Sequence, residues 1–84
     1  MNKIKERLEE IVKEDLDKYN LEINSIYEDE EDGHKFIRVE LLGKNITSDL
    51  IAKISKPISK AFDELDPVDE SYILDIYGKE EDNE

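Results

Sequence analysis

The sequence predicts a small two-layer α+β domain of order α-β-β-α-β. Three observations carry that prediction. Apolar residues recur at spacings of three and four in two separate stretches, 4–19 and 50–65, the periodicity of a helix with one buried face. Two alternating segments flank Asp32-Gly33, a dipeptide that accepts the positive φ angles of a tight hairpin. A third alternating segment, Ser71 to Tyr77, follows Asp66-Pro67. At 84 residues the chain is one domain by length. Its core is small, because a chain of this size hides only roughly 60% of its unfolded surface.

The first helix is expected from near Asn2 to near Lys18. Ile4, Leu8, Ile11, Val12, Leu16 and Tyr19 form one face, and Lys3, Glu6, Arg7, Glu10, Lys13, Glu14 and Asp17 form the other. Asn2 can cap its start. Asn20 is placed to end it in a left-handed conformation, which Asn tolerates. The first strand follows, with Leu21, Ile23, Ser25 and Tyr27 on one face. Glu28 to His34 is expected to be the connecting loop, its tip mobile because five consecutive acids repel one another. Lys35 to Leu42 is the second strand, with Ile37, Val39 and Leu41 inward.

Gly43-Lys44-Asn45 makes the next turn, and Thr47 or Ser48 caps the second helix. Leu50, Ile51, Ile54, Ile58, Ala61, Phe62 and Leu65 are its apolar face. Pro57 lies inside it and removes a hydrogen bond to the Lys53 carbonyl, so either a kinked helix or two short helices broken at Lys56 is expected. Asp63 to Ser71 is the return loop. The third strand sets Tyr72, Leu74 and Ile76 opposite Ile73, Asp75 and Tyr77. A right-handed crossover through the second helix brings this strand back parallel to the second. The expected sheet order is 2-1-3, the first strand central and both helices on one face. The domain spans residues 1–78. The remainder, 79–84, has no apolar residue and is expected to be a disordered acidic tail.

Composition narrows the function classes. Twenty-four acids against twelve bases give a net charge of −12. Such a field repels phosphate and anionic lipid and steers basic partners inward. Direct nucleic-acid binding is disfavoured, and a monomer is expected. There are no cysteines, which removes disulfides, thiolate chemistry and Cys-ligated zinc. No apolar run approaches a membrane span, and the first residues lack the apolar core of a signal peptide; a cytoplasmic location is the default.

Nor does a catalytic constellation emerge. The single histidine, His34, reads as an exposed turn residue. The acidic run resembles a calcium loop only superficially, because the position six residues after Gly33, where a bidentate acid belongs, is Val39. Carboxylates are abundant but lie in exposed runs, not in the contrasting pockets that acid–base chemistry needs. Asp75, on a strand, is best explained by an edge or solvent-facing position. The glycines are too scattered for a phosphate loop or for the GXXG clamp of a KH domain. No enzyme activity, cofactor or metal is expected.

Four motifs stand in order along the chain: Tyr19-Asn20-Leu21-Glu22-Ile23 at the first strand, Gly43 with Ile46-Thr47-Ser48-Asp49 at a turn and helix start, Ile54-Ser55, Ile58-Ser59 and Phe62-Asp63 along the helix, and Asp66-Pro67-Val68, Tyr72 and Leu74-Asp75-Ile76 at the closing strand. In order and spacing they resemble the N-terminal domain of the bacterial ribosome maturation factor RimP family. Pro57 departs from the pattern, and the small β-barrel that follows in the family has no counterpart in these 84 residues. The resemblance implies assistance to small ribosomal subunit maturation by binding a basic ribosomal protein or an assembly intermediate. An acidic domain suits that task. Two acidic segments are the expected contacts: Glu28, Asp29, Glu30, Glu31 and Asp32, and Asp63, Glu64, Asp66, Asp69 and Glu70. The alternative is a stand-alone acidic regulator that imitates nucleic acid at another protein's basic site.

Overall fold

The computed structural model describes residues 2–65 and 72–80. Its elements are α1 (Asn2–Ile11), α2 (Lys13–Tyr19), β1 (Glu22–Glu31), β2 (His34–Gly43), α3 (Ser48–Leu65) and β3 (Tyr72–Glu80). The class is the expected α+β. The expected first helix is divided at Val12, whose φ of −103° and ψ of 15° leave the helical region. The break falls at the β-branched pair Ile11-Val12, which crowds the preceding turn. Backbone bonds from Val12 to Leu8 and from Leu16 to Val12 bridge it. Asn20 ends α2 in the left-handed conformation, φ 56° and ψ 46°. The Leu21 N–H then reaches the Leu16 carbonyl at 2.9 Å, closing the helix in a Schellman-type turn.

The hairpin turn is Asp32-Gly33 alone, with φ of 52° and 78°, the two positive values that a type I′ turn requires. Glu28 to Glu31 are therefore not loop. They extend β1 and pair with Ile37, Phe36, Lys35 and His34. A second departure lies earlier in β1. The register shifts between Ile23 and Ser25, so Asn24 is an extra residue and the side-chain alternation changes phase. Leu21, Ile23, Ser25 and Tyr27 therefore do not share one face as expected: Leu21, Ile23 and Ile26 are buried and Tyr27 is exposed. In β2, Ile37, Val39 and Leu41 are buried as expected.

The sheet order is β1-β2-β3. The predicted order 2-1-3 is thus corrected: β2, not β1, is central. It pairs antiparallel with β1 and parallel with β3. The parallel return through α3 is as expected. The central position goes to the strand with the most buried residues: Ile37, Val39, Leu41 and Gly43 of β2 are buried, whereas the last five residues of β1 are all exposed. In that order Arg38 on β2 lies between Asp29 on β1 and Asp75 on β3. Leaving the charged β1 at the edge also discourages edge-to-edge association.

Thr47 caps α3, its hydroxyl accepting the Leu50 N–H at 3.2 Å. The helix continues through Pro57 as one element. The carbonyl that Pro57 leaves unpaired belongs to Lys53, an exposed residue where water can satisfy it. Ile54, Ile58, Ala61 and Phe62 of α3 meet Leu8, Val12 and Leu16 of the N-terminal helical segment over the inward residues of the sheet. Tyr72, Leu74 and Ile76 close the core from β3. Leu50 and Ile51 are only half-buried. β3 extends to Glu80, pairing Lys79 with Leu42 and Glu80 with Gly43. The expected tail is therefore shortened, and its residues 81–84 lie outside the described residues.

Candidate functional site

Helices cover one face of the sheet, and the residues that register sets on the opposite face form rows across the three strands. One row is Asp29, Phe36 and Ile73. The next is Tyr27, Arg38 and Asp75. A third is Ser25, Glu40 and Tyr77. Directly opposed residues in a sheet share a face, so these side chains meet with none of the described helices above them.

Arg38 organises the first cluster. Its Nε donates to Asp29 Oδ2 at 2.8 Å and its Nη2 to Glu31 Oε2 at 3.2 Å. Its Nη1 donates to Asp75 Oδ2. The planar fork of the guanidinium allows three partners in three directions, which an ammonium on a flexible stem does not hold as well. The same guanidinium lies 4.6 Å from the centre of the Phe36 ring, a favourable cation–π distance. The Glu30 backbone N–H and then Arg38 hold the Asp29 carboxyl below its ordinary range. Asp29 in turn leads in raising Arg38. The arrangement carries one positive and three negative charges.

The second cluster is a chain of hydrogen bonds. Tyr77 donates its hydroxyl to Glu40 at 2.7 Å, so it accepts from Tyr27 at 2.8 Å. Asn24, the bulge residue, donates to the other Glu40 oxygen at 2.6 Å. The Tyr77 hydroxyl and then Asn24 lower the Glu40 carboxyl below its ordinary value. Burial, with Tyr27 and Glu40 beside it, pushes the Tyr77 phenol well up. These groups position one another across three strands.

The expected contact residues are therefore rearranged. Asp29 and Glu31 point onto the open face and share Arg38. Glu28 and Glu30 alternate with them and belong to the other face. Asp32 forms the turn. Asp63 and Glu64 are exposed residues in the last turns of α3. Asp66, Asp69 and Glu70 lie outside the described residues. α3 starts beside Gly78, which Ile46 and Ile51 overlie, and runs back along the sheet for about 27 Å. Its end thus brings Asp63 and Glu64 toward the hairpin end, where β3 begins at Tyr72 opposite Lys35 and Glu30.

Sequence reasoning missed Arg38, Phe36, Tyr27, Tyr77, Glu40 and Ile73 as members of one surface. The available signal was the complement of the inward set: once Ile37, Val39 and Leu41 face the core, Phe36, Arg38 and Glu40 must face away. Asp75 is half-buried and ion-paired, not merely solvent-facing.

A hollow of about 780 Å³ at the other end of the sheet is lined by Leu16, Tyr19, Asn20, Leu21 and Gly43, among others. No hydrogen-bonded nucleophile–base pair lines it among the described residues. Nor is any side-chain group gathered there as a metal centre would need. No described helix is long and apolar enough to cross a membrane. Compared with protein-family models, the chain matches the RimP N-terminal domain over residues 11–77, from the end of α1 through the Tyr77 of the open face.

Proposed function

This chain belongs to the RimP N-terminal domain family, and we propose from that premise that it is a non-enzymatic binding module acting in small ribosomal subunit maturation. The partner in this reading is a basic ribosomal protein, free or in an assembly intermediate. The family match carries the reading. The net charge of −12 supports the partner's sign, since complementary charge raises the encounter rate and fixes orientation. The same charge argues against direct contact with nucleic acid or membrane. The described core holds no buried polar or charged side chain, which leaves acid–base chemistry without an enclosed group to work through. A monomer in the cytoplasm suits this role.

The test is direct. Purified small-subunit ribosomal proteins are titrated one at a time against the chain by fluorescence anisotropy, at low and at high salt. At least one basic protein should bind, with affinity that falls as salt rises, because exposed charges are screened within about 8 Å at physiological ionic strength. Failure of all of them to bind defeats the partner class. Capture of a DNA- or RNA-processing enzyme in their place supports a nucleic-acid mimic instead.

A further inference from the structure

We propose that the open face of the sheet is a docking surface for a cationic, amphipathic protein segment about one helix wide. Ile73 and Phe36 receive its apolar side chains, and Asp29, Glu31 and Asp75 receive its ammonium or guanidinium groups. The proposal rests on the preceding reading that the partner is a basic protein, and assigns the surface that holds it.

Exposure is the first ground. Three large hydrophobic residues are exposed among the described residues, and two of them, Ile73 at 47% and Tyr27 at 38%, share this face. They are not isolated. Ile73 is the register neighbour of Phe36, and Tyr27 joins Tyr77 across β2. An apolar and aromatic strip thus crosses the sheet with none of the described helices over it. Such strips, framed by polar groups, are characteristic of interaction sites.

Charge is the second ground, and it selects the occupant. The Arg38 cluster has three carboxylates for one cation, and these side chains are 46%, 67% and 38% exposed for Asp29, Glu31 and Asp75. A carboxylate offers about four acceptor sites, so each retains capacity after serving Arg38. Asp75 lies one row from Ile73, about 7 Å along β3, and Asp29 stands in the same row as Ile73, across Phe36. A segment that presents a cation and an apolar side chain at that separation engages both. A second copy of this chain brings acids to the same acids, and a nucleic acid or anionic bilayer brings phosphate to them; both are repelled.

Size is the third ground. Three strands about 4.8 Å apart span about 10 Å between outer axes, close to the 10–12 Å diameter of one helix. The face is too narrow for a globular partner to dock by it alone, since stable interfaces between globular proteins bury about 800 Å² per partner. A single helix-sized segment fits and completes a three-layer sandwich.

The test uses a synthetic amphipathic peptide with Lys and Arg on one side and Leu on the other, titrated into the 84-residue chain and followed by amide NMR. The amides of Tyr27, Phe36, Arg38, Ile73, Asp75 and Tyr77 should move together, and those of the solvent side of α3 should not. Ile73→Ser should weaken binding about tenfold or more, the loss typical of an anchor residue. Ile11→Ser, which removes an equally exposed isoleucine from the helical layer, should leave affinity unchanged. If Ile73→Ser does not fold, Ile73→Thr keeps the β-branch and takes its place. Equal affinity for the two isoleucine variants, or shifts confined to the helices, overturns the proposal, as does RNA binding to this face more tightly than the peptide. A ribosomal protein that binds the wild type and Ile73→Ser equally removes the surface assignment and leaves the partner class standing. Peptide on the sheet face with no ribosomal partner does the reverse.

Discussion

Arg38 holds carboxylates from two strands at once, and its replacement should therefore affect folding out of proportion to one surface charge. Arg38→Met retains packing against Phe36 but leaves Asp29, Glu31 and Asp75 facing one another. Urea unfolding should show a clear loss of stability, partly restored by salt, which screens the exposed repulsion. Arg38→Lys should recover only part, because an ammonium does not fork toward three partners; full recovery would show that charge alone matters. Titration offers a separate check. Asp29 and Glu40 lie below their ordinary values of 3.8 and 4.5, so folding binds fewer protons at each. Their stabilisation is complete above those values and is lost as pH falls through the lower folded ones. Tyr77 has the opposite sign. Its folded value is raised above 10.0, so its contribution is complete below pH 10 and declines as alkali deprotonates the unfolded chain first. Side-chain NMR titration of the two carboxyls, and alkaline unfolding of Tyr77→Phe against wild type, measure these effects. Midpoints at the ordinary values, or an unchanged alkaline profile, would contradict the hydrogen-bonded network.

At the scale of elements, the pleat of β1 divides an acidic run that looks uniform in sequence. Asp29→Asn with Glu31→Gln removes two partners of Arg38 and should lower stability. Glu28→Gln with Glu30→Gln relieves repulsion without losing an Arg38 ion pair and should leave stability unchanged or slightly higher. Equal effects in paired urea titrations would mean that the run behaves as an unstructured tip. A second element boundary depends on a glycine. A Cβ at Gly78 would stand 2.5 Å from Ile46 Cγ2 and 2.9 Å from its Cδ1, where α3 enters over the end of β3. Gly78→Ala should cost about 1–3 kcal/mol, the usual range for overpacking, and Ile46→Val in the same chain should return part of it. Thermal unfolding of the single and double variants decides this. The elements themselves were legible wherever periodicity ran uninterrupted, as in Ile37, Val39 and Leu41, or where a local signal was strong, as at Asn20 and Asp32-Gly33. The bulge at Asn24 was not, because neither Asn24 nor Ser25 announces an extra residue; only pairing with Leu41 and Glu40 reveals it.

For the whole molecule, net charge should make stability and binding respond to salt in opposite directions. Screening eases the self-repulsion of a chain with charge −12, so the unfolding midpoint should rise with sodium chloride, while affinity for a basic partner falls. A midpoint that falls with salt would mean that the ion pairs outweigh the net repulsion. The global arrangement was only half legible. Class and crossover direction follow from local patterns, but sheet order depends on which strand β3 pairs with, and residues across that seam, such as Arg38 and Asp75, are 37 apart in the chain. The candidate site was legible as an excess of acid and not as a surface, since its organising cation is one base among twelve. The central place of β2 also sets the order of assembly. Its pairing with β1 closes over a two-residue turn, within reach of microseconds for a hairpin, whereas Arg38 and Asp75 are 37 residues apart. The wider loop carries the greater closure entropy. During synthesis from the N-terminus the hairpin can form while β3 is still unmade, and until β3 arrives the far edge of β2 stays open. β3 is thus the strand that both covers the far edge of β2 and completes the open face, so a docking surface there exists only after the 37-residue closure between Arg38 and Asp75 has been made.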